Sequence, residues 1–241
     1  MGLYRLILLT GLLSLSSQPA TAAQPVGHYN KGSLKRGISL FQIFQRQDRL
    51  FHSVSPEGFQ YGTKAMQKAL HRIASWTVEL TGKPLKIGDI AKRKGGKIAQ
   101  HVTHQTGLDV DLGYLTLNPK KRGHRSGKFH NKFSEIFDRN GQILPNFDPE
   151  LHHQLFTKIV ATLPVKAMFV SCGILESLKT VDAKAGKTIT PFLRGHDLHN
   201  DHFHLRLSCP KGAKGCSEQW WKNPGPSGSK KKKRKSYRCP V

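Results

Sequence analysis

The chain of 241 residues is long enough for one substantial core, or for one domain with short appendages. Hydrophobic residues make up 37% of it, so the sequence can fold but is not rich in apolar side chains. With 39 Lys and Arg against 15 Asp and Glu, the formal net charge is +24. This charge indicates polyanionic surroundings or a polyanionic partner, such as nucleic acid, anionic lipid or a cell-wall polymer.

The first 22 residues have the three-part layout of a secretory signal peptide. A positive charge within residues 1–5 precedes an apolar run over residues 6–15. Small residues follow at Ala20 and Ala22, and we expect cleavage after Ala22. A membrane anchor is the alternative, but the apolar run is shorter than the roughly 20 residues that a span requires. The sequence therefore predicts export.

Export permits disulfide bonds, and the chain has four cysteines, which allow three pairings. The segment "CPKGAKGC" favours a bond between Cys209 and Cys216, because its proline and glycines suit the closure of a short loop. That bond leaves Cys172 with Cys239, a pairing that stays open at this point. A zinc ribbon is disfavoured, because no two cysteines are separated by two residues.

The first half of the chain predicts one long helix between extended segments. Residues 24–60 show no clear periodicity and are expected to form short strands and loops. Over residues 63–80 apolar side chains recur at helical spacing, and Gly82 offers a stop. "PLKIGDIA" is typical of a strand, and a basic, glycine-containing loop, "AKRKGGKIAQ", follows it.

Two later segments predict strands with one polar face each. In "LDVDL" the apolar residues alternate with Asp109 and Asp111, so one face is apolar and the other acidic. In "HFHLRL" the polar face carries His202, His204 and Arg206 instead. The apolar reverse face of both segments indicates that each strand packs against a core.

The remaining segments complete a mixed fold and end in a basic tail. "NG" at residues 140–141 predicts a turn, "DP" at 148–149 opens a second amphipathic helix, and "VKAMFVS" predicts a strand. In "NPGPSGSKKKKRKSYRCPV", proline, glycine and serine precede six consecutive basic residues, a composition that cannot bury a core. We expect a single α+β domain over residues 23–222, with helices flanking a central antiparallel sheet, and a tail over residues 223–241.

Six of the 13 histidines fall in two short segments, "HVTH" and "HDLHNDHFH". A catalytic zinc usually has three imidazole or carboxylate ligands from the protein and one open position. If the strands of Asp111 and His204 pair with their polar sides together, they bring both residues close to His104, which precedes the acidic strand. The pattern therefore predicts a zinc site. A loose surface metal site, or side chains that are only solvated, is the alternative.

The segments "HVTHQTGLDVDLGY" and "HDLHNDHFHLRLSCPKGAKGC" resemble the two signature segments of the penicillin-insensitive murein endopeptidases. That family belongs to the wider group of lysostaphin-type and D-alanyl-D-alanine zinc peptidases. The resemblance extends from about residue 40 to residue 216. It includes the spacing C-P-x5-C, which supports the disulfide between Cys209 and Cys216.

The resemblance implies a set of site residues. Three residues match the family's zinc ligands: His104, Asp111 and His204. His101 matches a histidine that is sometimes counted as a further ligand. We expect it to bind the metal weakly or to contact the ligands without binding the metal. His202 and His199 match the remaining histidines of the site and are the predicted catalytic residues. One is expected to act as general base and the other to stabilise the tetrahedral oxyanion.

Two aspartates have predicted supporting roles. Asp109 lies on the same strand face as Asp111 and is expected to orient an imidazole. Relatives that cleave D-Ala-D-Ala place a glutamate base three residues before the last ligand; Asp201 stands there in this chain and is a further candidate for the base. A second, peripheral zinc has also been described in the family. The corresponding turn reads "RNGQIL" here and offers only Asn140 and Ile143, so one zinc is predicted.

The resemblance implies a zinc-dependent murein endopeptidase of the periplasm. It would hydrolyse D-alanyl–meso-diaminopimelyl cross-links of peptidoglycan through a zinc-activated water, without an acyl-enzyme serine, so penicillin should not inhibit it. The basic tail is expected to bind anionic envelope polymers or lipid weakly, with no specific nucleic-acid partner. Two alternatives remain: an inactive zinc scaffold that binds the cell wall, and a secreted metal-dependent nuclease, for which the charge suits DNA but the Q-T-G-L-D-V-D run has no role.

Overall fold

The computed structural model describes residues 22–99, 101–117, 133–218 and 239. The strands in these ranges are β1 (Gln24–His28), β2 (Lys31–Lys35), β3 (Ile38–Ser39), β4 (Phe51–Ser53), β5 (Tyr61–Gly62), β6 (Leu85–Ile87), β7 (Asp109–Gly113), β8 (Val165–Val170), β9 (Leu193–Gly195) and β10 (His202–Leu207). The helices are α1 (Phe41–Arg46), α2 (Lys64–Thr81), α3 (Pro149–Thr162) and α4 (Cys172–Lys184). The predicted signal peptide, apart from Ala22, and the predicted tail, apart from Cys239, lie outside the described residues.

A six-stranded sheet in the order β4-β6-β7-β10-β8-β9 forms the centre of the molecule. Its inner pairs are antiparallel, whereas the two edge pairs, β4 with β6 and β8 with β9, are parallel. Strands β1 and β2 form a separate hairpin, and β3 pairs with β5. The predicted α+β fold with helices flanking a central antiparallel sheet is confirmed, although the two edge pairs of the sheet are parallel.

One face of the two central strands packs against the helices. Val110 and Leu112 of β7 and Phe203 and Leu205 of β10 are completely buried. The ring of Phe156, from α3, lies 4.8 Å from the ring of Phe203 between centroids. Because side chains alternate along a strand, the residues between these apolar ones face the opposite side of the sheet, where the polar cluster lies.

The two predicted helices are present, and their ends show why they form there. Thr63 caps α2 by accepting a hydrogen bond from the backbone of Met66, and Gly82 ends the helix in the left-handed conformation. Asp148 caps α3, and proline occupies the first turn. Among the described helices, none is both long and apolar enough to cross a membrane.

The sequence predictions miss two helices and overextend one strand. The six residues of α1 are too few to show a helical period. In α4 the apolar residues do recur at helical spacing, so that prediction was incomplete. The strand predicted over residues 84–91 is regular only as far as Ile87. Gly88 and Asp89 still hydrogen-bond with Asp111 of β7, but Ile90 and Ala91 donate to the carbonyl of Phe59 instead.

Two disulfides tie down the ends of elements near the polar face. Cys209 bonds to Cys216, which closes the short loop after β10 as predicted. Cys172, at the start of α4, bonds to Cys239, so the pairing left open by the sequence is also present. A short loop closed in this way stabilises a fold by on the order of 2–3 kcal/mol through the unfolded state.

Candidate metal centre

The register of β7 and β10 brings their polar residues into direct opposition. His204 lies opposite Asp111, and Arg206 lies opposite Asp109, in an antiparallel pair. Residues in such positions have neighbouring side chains on the same face of the sheet. The predicted pairing of the acidic and the histidine-bearing faces is therefore what the structure has.

His104 is placed by the turn that precedes β7. Its backbone is in the left-handed region, with φ of 64°, and its side chain is completely buried. Nδ1 lies 3.0 Å from the carbonyl oxygen of Ile90. A carbonyl only accepts, so Nδ1 carries the proton and Nε2 presents a lone pair to the interior of the cluster.

His204 presents its opposite nitrogen to the same point. Its Nε2 lies 2.7 Å from Oδ1 of Asp109, to which it donates. Nδ1 is then the nitrogen with the lone pair. A carboxylate that fixes the tautomer of a histidine in this way is the usual partner behind a metal-binding imidazole.

Three lone-pair atoms converge at the centre of this cluster. His104 Nε2, His204 Nδ1 and Asp111 Oδ1 are each 3.1 Å from the other two. With these tautomers none of the three atoms carries a hydrogen, so they cannot hydrogen-bond to one another. Three lone pairs that face one another are stabilised by a cation between them. Donor atoms bound tetrahedrally at 2.0–2.1 Å from zinc lie roughly 3.3 Å apart, which the triangle approaches closely. The donor set and its spacing therefore fit zinc.

Arg206 supports Asp109 from the far side of the ligand cluster. Its Nε donates to the same Oδ1 of Asp109 at 2.7 Å, and its guanidinium lies 4.1 Å from the centre of the Tyr29 ring. Burial alone would raise the pKa of Asp109, but Arg206 and His204 outweigh it and hold the pKa well below its ordinary value. Asp109 thus remains an anion that accepts from His204, in agreement with its predicted orienting role.

His101 stands at the edge of the cluster. It belongs to a second, looser triplet with His104 and Asp111, whose possible ligand atoms lie within 4.8 Å of one another. However, its Nε2 contacts Oδ2 of Asp89 at 2.9 Å, and its Nδ1 is 3.9 Å from Oδ2 of Asp111. We favour the triplet with His204, because its three atoms are already at ligand spacing. His101 can join it only through a shift of its ring.

His202 lies beside the ligands without belonging to the triangle. Its Nδ1 donates to Asp201 at 2.6 Å, and its Nε2 lies 3.6 Å from Oδ1 of Asp111. Burial acts to lower the pKa of His202, but the carboxylates of Asp111 and Asp201 outweigh it and raise the pKa. The ring also stacks on Phe133 at 5.3 Å. Asp201, considered from the sequence as a base, is engaged in holding this imidazole.

His199 is the second predicted catalytic histidine, and its environment is the opposite of that of His202. Its ring centroid lies 5.1 Å from that of His202 and 5.9 Å from that of His204. Burial, together with these two neighbouring rings, lowers the pKa of His199 to about 2. Its carbonyl oxygen accepts a hydrogen bond from the hydroxyl of Tyr114, which fixes the loop that carries it.

The sequence predicted that the three residues of the triangle lie together but did not predict several of their partners. Asp89 lies in the segment predicted to be a strand, and nothing in the sequence connects it to His101. Arg206 had a signal, since it stands on the polar face of "HFHLRL" two residues after His204, but no role was predicted for it. The contributions of the Ile90 carbonyl and the Phe133 ring depend on tertiary packing and have no sequence signature.

The chain is similar to a family of known proteins along most of its length. A sequence model of the penicillin-insensitive murein endopeptidases matches residues 25–236. A protein of that name from Escherichia coli is 26% identical over 213 residues, covering 85% of this chain and 73% of the relative. The protein of the same name from Citrobacter koseri is 25% identical over 213 residues, with the same coverage of both chains. The one from Shigella dysenteriae is 25% identical over 237 residues, which cover 91% of this chain and 82% of the relative. Because the match spans most of the sequence, this chain belongs to the penicillin-insensitive murein endopeptidase family.

Proposed function

We propose that this protein is a zinc-dependent endopeptidase that hydrolyses the D-alanyl–meso-diaminopimelyl cross-links of peptidoglycan. The observation that carries the proposal is the triangle of lone-pair atoms 3.1 Å apart, held on the polar face of two central strands. Family membership supplies the reaction class, a metallopeptidase acting on murein. The nuclease alternative leaves the family match unexplained, and the binding-module alternative gives no role to the two further histidines beside this triangle.

The residues that would hold the ion are His104, Asp111 and His204, with His101 as a weak or indirect partner. Zinc in such a site supplies Lewis-acid polarisation of a peptide carbonyl and lowers the pKa of water to about 7. Asp109 keeps the His204 ring in the required orientation and tautomer, and Arg206 keeps Asp109 ionised. Only one ion is proposed per chain.

Proton transfer is proposed for the two histidines beside the triangle. Asp201 fixes the ring of His202 through Nδ1, so that Nε2 faces the cluster where the scissile carbonyl must lie. From there it can take a proton from the attacking water or donate a hydrogen bond to the developing oxyanion. His199, with its lowered pKa, takes the other role. The two environments push the histidines toward different protonation states, which suits an acid and base pair.

Export and attachment complete the proposal. Residues 1–22 would be removed on export to the periplasm, leaving one catalytic domain over residues 23–222. The basic tail over residues 223–241 would bind anionic envelope polymers or lipid weakly. Sequencing of the mature N-terminus tests the cleavage site directly, and a mature protein that begins at Met1 would refute it.

The activity is tested by digestion of purified sacculi and mass spectrometry of the released muropeptides. The expected products are monomers with a newly exposed D-alanine carboxylate and a free amine on diaminopimelate. Activity should vanish on chelation, return with zinc, and persist with penicillin. Tight binding to sacculi without any release of muropeptides would favour the binding module, and chelator-sensitive cleavage of DNA in a parallel assay would favour the nuclease.

A further inference from the structure

A basic depression lies outside the metal centre, on the side of the N-terminal hairpin. It has a volume of about 630 Å³ and is lined by Arg36, Gly37, Arg93 and Lys94. Its cationic side chains come from two loops, one after β2 and one after β6. None of its lining residues belongs to the metal centre described above. We use the name basic depression for the site formed by Arg36, Arg93 and Lys94.

The two loops are fastened to each other through their backbones. The backbone N–H of Leu34 donates to the carbonyl of Lys94 at 2.9 Å. A Cβ atom at Gly37 would lie 2.7 Å from the carbonyl oxygen of Arg93, so the approach depends on glycine. Gly95 has φ of +67°, and a Cβ there would lie 2.1 Å from the carbonyl oxygen of Gln105. The fold therefore holds the backbones of the two loops together, so that their cationic residues line one depression.

Within the part of the chain that the structure describes, no acidic side chain balances the positive charge of the basic depression. The side chains of Arg36, Arg93 and Lys94 are exposed, and the described residues offer none of them an ion pair. The two segments that meet there, residues 22–47 and 90–108, contain no Asp or Glu. Arg36 also adopts a left-handed backbone with φ of 55°, which costs about 1 kcal/mol or more for a residue other than glycine. Backbone strain at Arg36 and repulsion among the three cations therefore occur together at the basic depression.

We propose that the basic depression binds carboxylates of peptidoglycan stem peptides at a distance from the bond that is cut. This inference rests on the proposed function, since it names a second contact with the same substrate. An arginine guanidinium matches a carboxylate in geometry and can bind it through two parallel hydrogen bonds. Two arginines and a lysine from separate loops therefore suit a ligand that carries several carboxylates, as a murein strand does.

The surroundings of the basic depression favour a polymer over a membrane. A surface that binds lipid usually combines cations with apolar side chains that enter the bilayer. In the part of the chain that the structure describes, the large exposed apolar residues are Val102, Leu117 and Leu198, and none of them lines the depression. The loop of Arg93 and Lys94 is instead connected to the metal centre. Gly96 donates to the carbonyl of Gln105 at 3.0 Å, and Gln105 directly follows His104.

The test compares two variants with the same loss of charge. The first is Arg36→Gln with Arg93→Gln and Lys94→Gln. The control removes three exposed cations elsewhere: Lys68→Gln, Arg72→Gln and Lys184→Gln. Binding to sacculi is measured by sedimentation of the full chain in a His202→Ala background, so that the polymer is not digested. Hydrolysis of a soluble muropeptide dimer is measured without the background substitution.

The first variant should bind sacculi roughly tenfold more weakly, whereas the control should bind as the parent protein does. The difference should shrink as salt is added. At saturating dimer both variants should hydrolyse it at the parent rate, because the substituted residues lie outside the metal centre. Equal weakening of both variants would show that total charge matters and not the basic depression, and parental binding by the first variant would refute the site.

Two further arms identify the anion. Sacculi with carboxyl groups converted to amides should bind the parent protein only as weakly as the first variant binds untreated sacculi. If amidation affects the parent and the first variant equally, the proposal is wrong. If the three residues control binding to phosphatidylglycerol vesicles but not to sacculi, the ligand is lipid phosphate. A parent protein that fails to cleave the dimer refutes the proposed function whatever the binding results, so the two failures are distinguishable.

Discussion

The histidines of the metal centre and the fully buried histidine of helix α3 differ in what their second ring nitrogen does. In His152, Nδ1 donates to the carbonyl of Asp148 at 2.6 Å, and Nε2 accepts from the backbone N–H of Leu115 at 2.9 Å. Both nitrogens are used, and the ring serves the fold. In His104 and His204 one nitrogen donates to a fixed acceptor, and the other directs a lone pair at Asp111. An uncommitted lone pair, more than burial, marks a ligand.

Two histidine–aspartate pairs show the same contrast. His153 Nε2 lies 3.0 Å from Asp182, and His204 Nε2 lies 2.7 Å from Asp109. Asp182 also accepts from the backbone N–H groups of Ile189 and Thr190, so it anchors the loop after α4. Asp109 instead accepts from Arg206, at the back of the metal centre. The carboxylate of Asp182 therefore fixes a loop, whereas that of Asp109 fixes the ring of His204.

The largest expected effect separates these two pairs. His204→Ala should lose its stoichiometric zinc and with it all measurable murein hydrolysis, because a ligand has gone. His153→Ala removes the equivalent ring from the other pair and should retain one zinc per chain and parental activity. Metal analysis by mass spectrometry and a sacculus digestion assay decide the matter. A zinc-loaded His204→Ala protein would show that the looser triplet, with His101, holds the ion.

His202 tests whether a histidine beside the triangle is a ligand or a catalytic group. His202→Ala should keep its zinc content near that of the parent, since its Nε2 lies outside the triangle. Turnover should fall by roughly 10²–10⁴, the usual contribution of a general acid or base. Loss of zinc would make His202 a ligand. Full activity would move the base to His199 or Asp201.

A smaller effect concerns the histidine that serves the fold. Burial lowers the pKa of His152 to about 4, from 6.5 for the free side chain. Between these values the unfolded chain binds a proton that the folded chain does not, so stability falls as the pH drops from about 6.5 to 4. The contribution lost is on the order of 3 kcal/mol.

Urea unfolding at pH 7 and pH 4 measures this loss. The parent protein should lose about 3 kcal/mol more over that interval than His152→Gln, whose amide oxygen can still accept from Leu115. Both proteins share the metal centre, so protonation of its ligands cancels in the comparison. Equal losses in the two proteins would mean that His152 is protonated at no cost in the folded state.

The difference between the histidines of the metal centre and the structural histidines also explains how much of the site the sequence could predict. Alternation along "LDVDL" and "HFHLRL" gives the polar face of each strand, whereas their pairing was an assumption that the structure confirms. The partners that decide between ligand and structural histidine were mostly out of reach. The carbonyl of Ile90 and the carboxylate of Asp89 reach the site through a segment that stops pairing with β7 after Asp89. No local sequence pattern indicates that the strand ends there.

The smallest expected effect tests the carboxylate behind the ligand. Asp109→Asn keeps an oxygen that can accept from His204 but removes the negative charge that Arg206 stabilises. Zinc affinity should fall by roughly 10–100-fold, the usual consequence of altering such a partner, while the fold persists. Asp182→Asn is the matched control, because it weakens a histidine–aspartate pair that lies away from the metal centre. It should lower the unfolding free energy and leave zinc affinity unchanged. Competition titration with a chromophoric chelator gives the affinities, and urea unfolding gives the stabilities. If both variants bind zinc equally well, the carboxylate behind His204 has no more influence on the metal than the one behind His153, and the distinction between the two pairs is wrong.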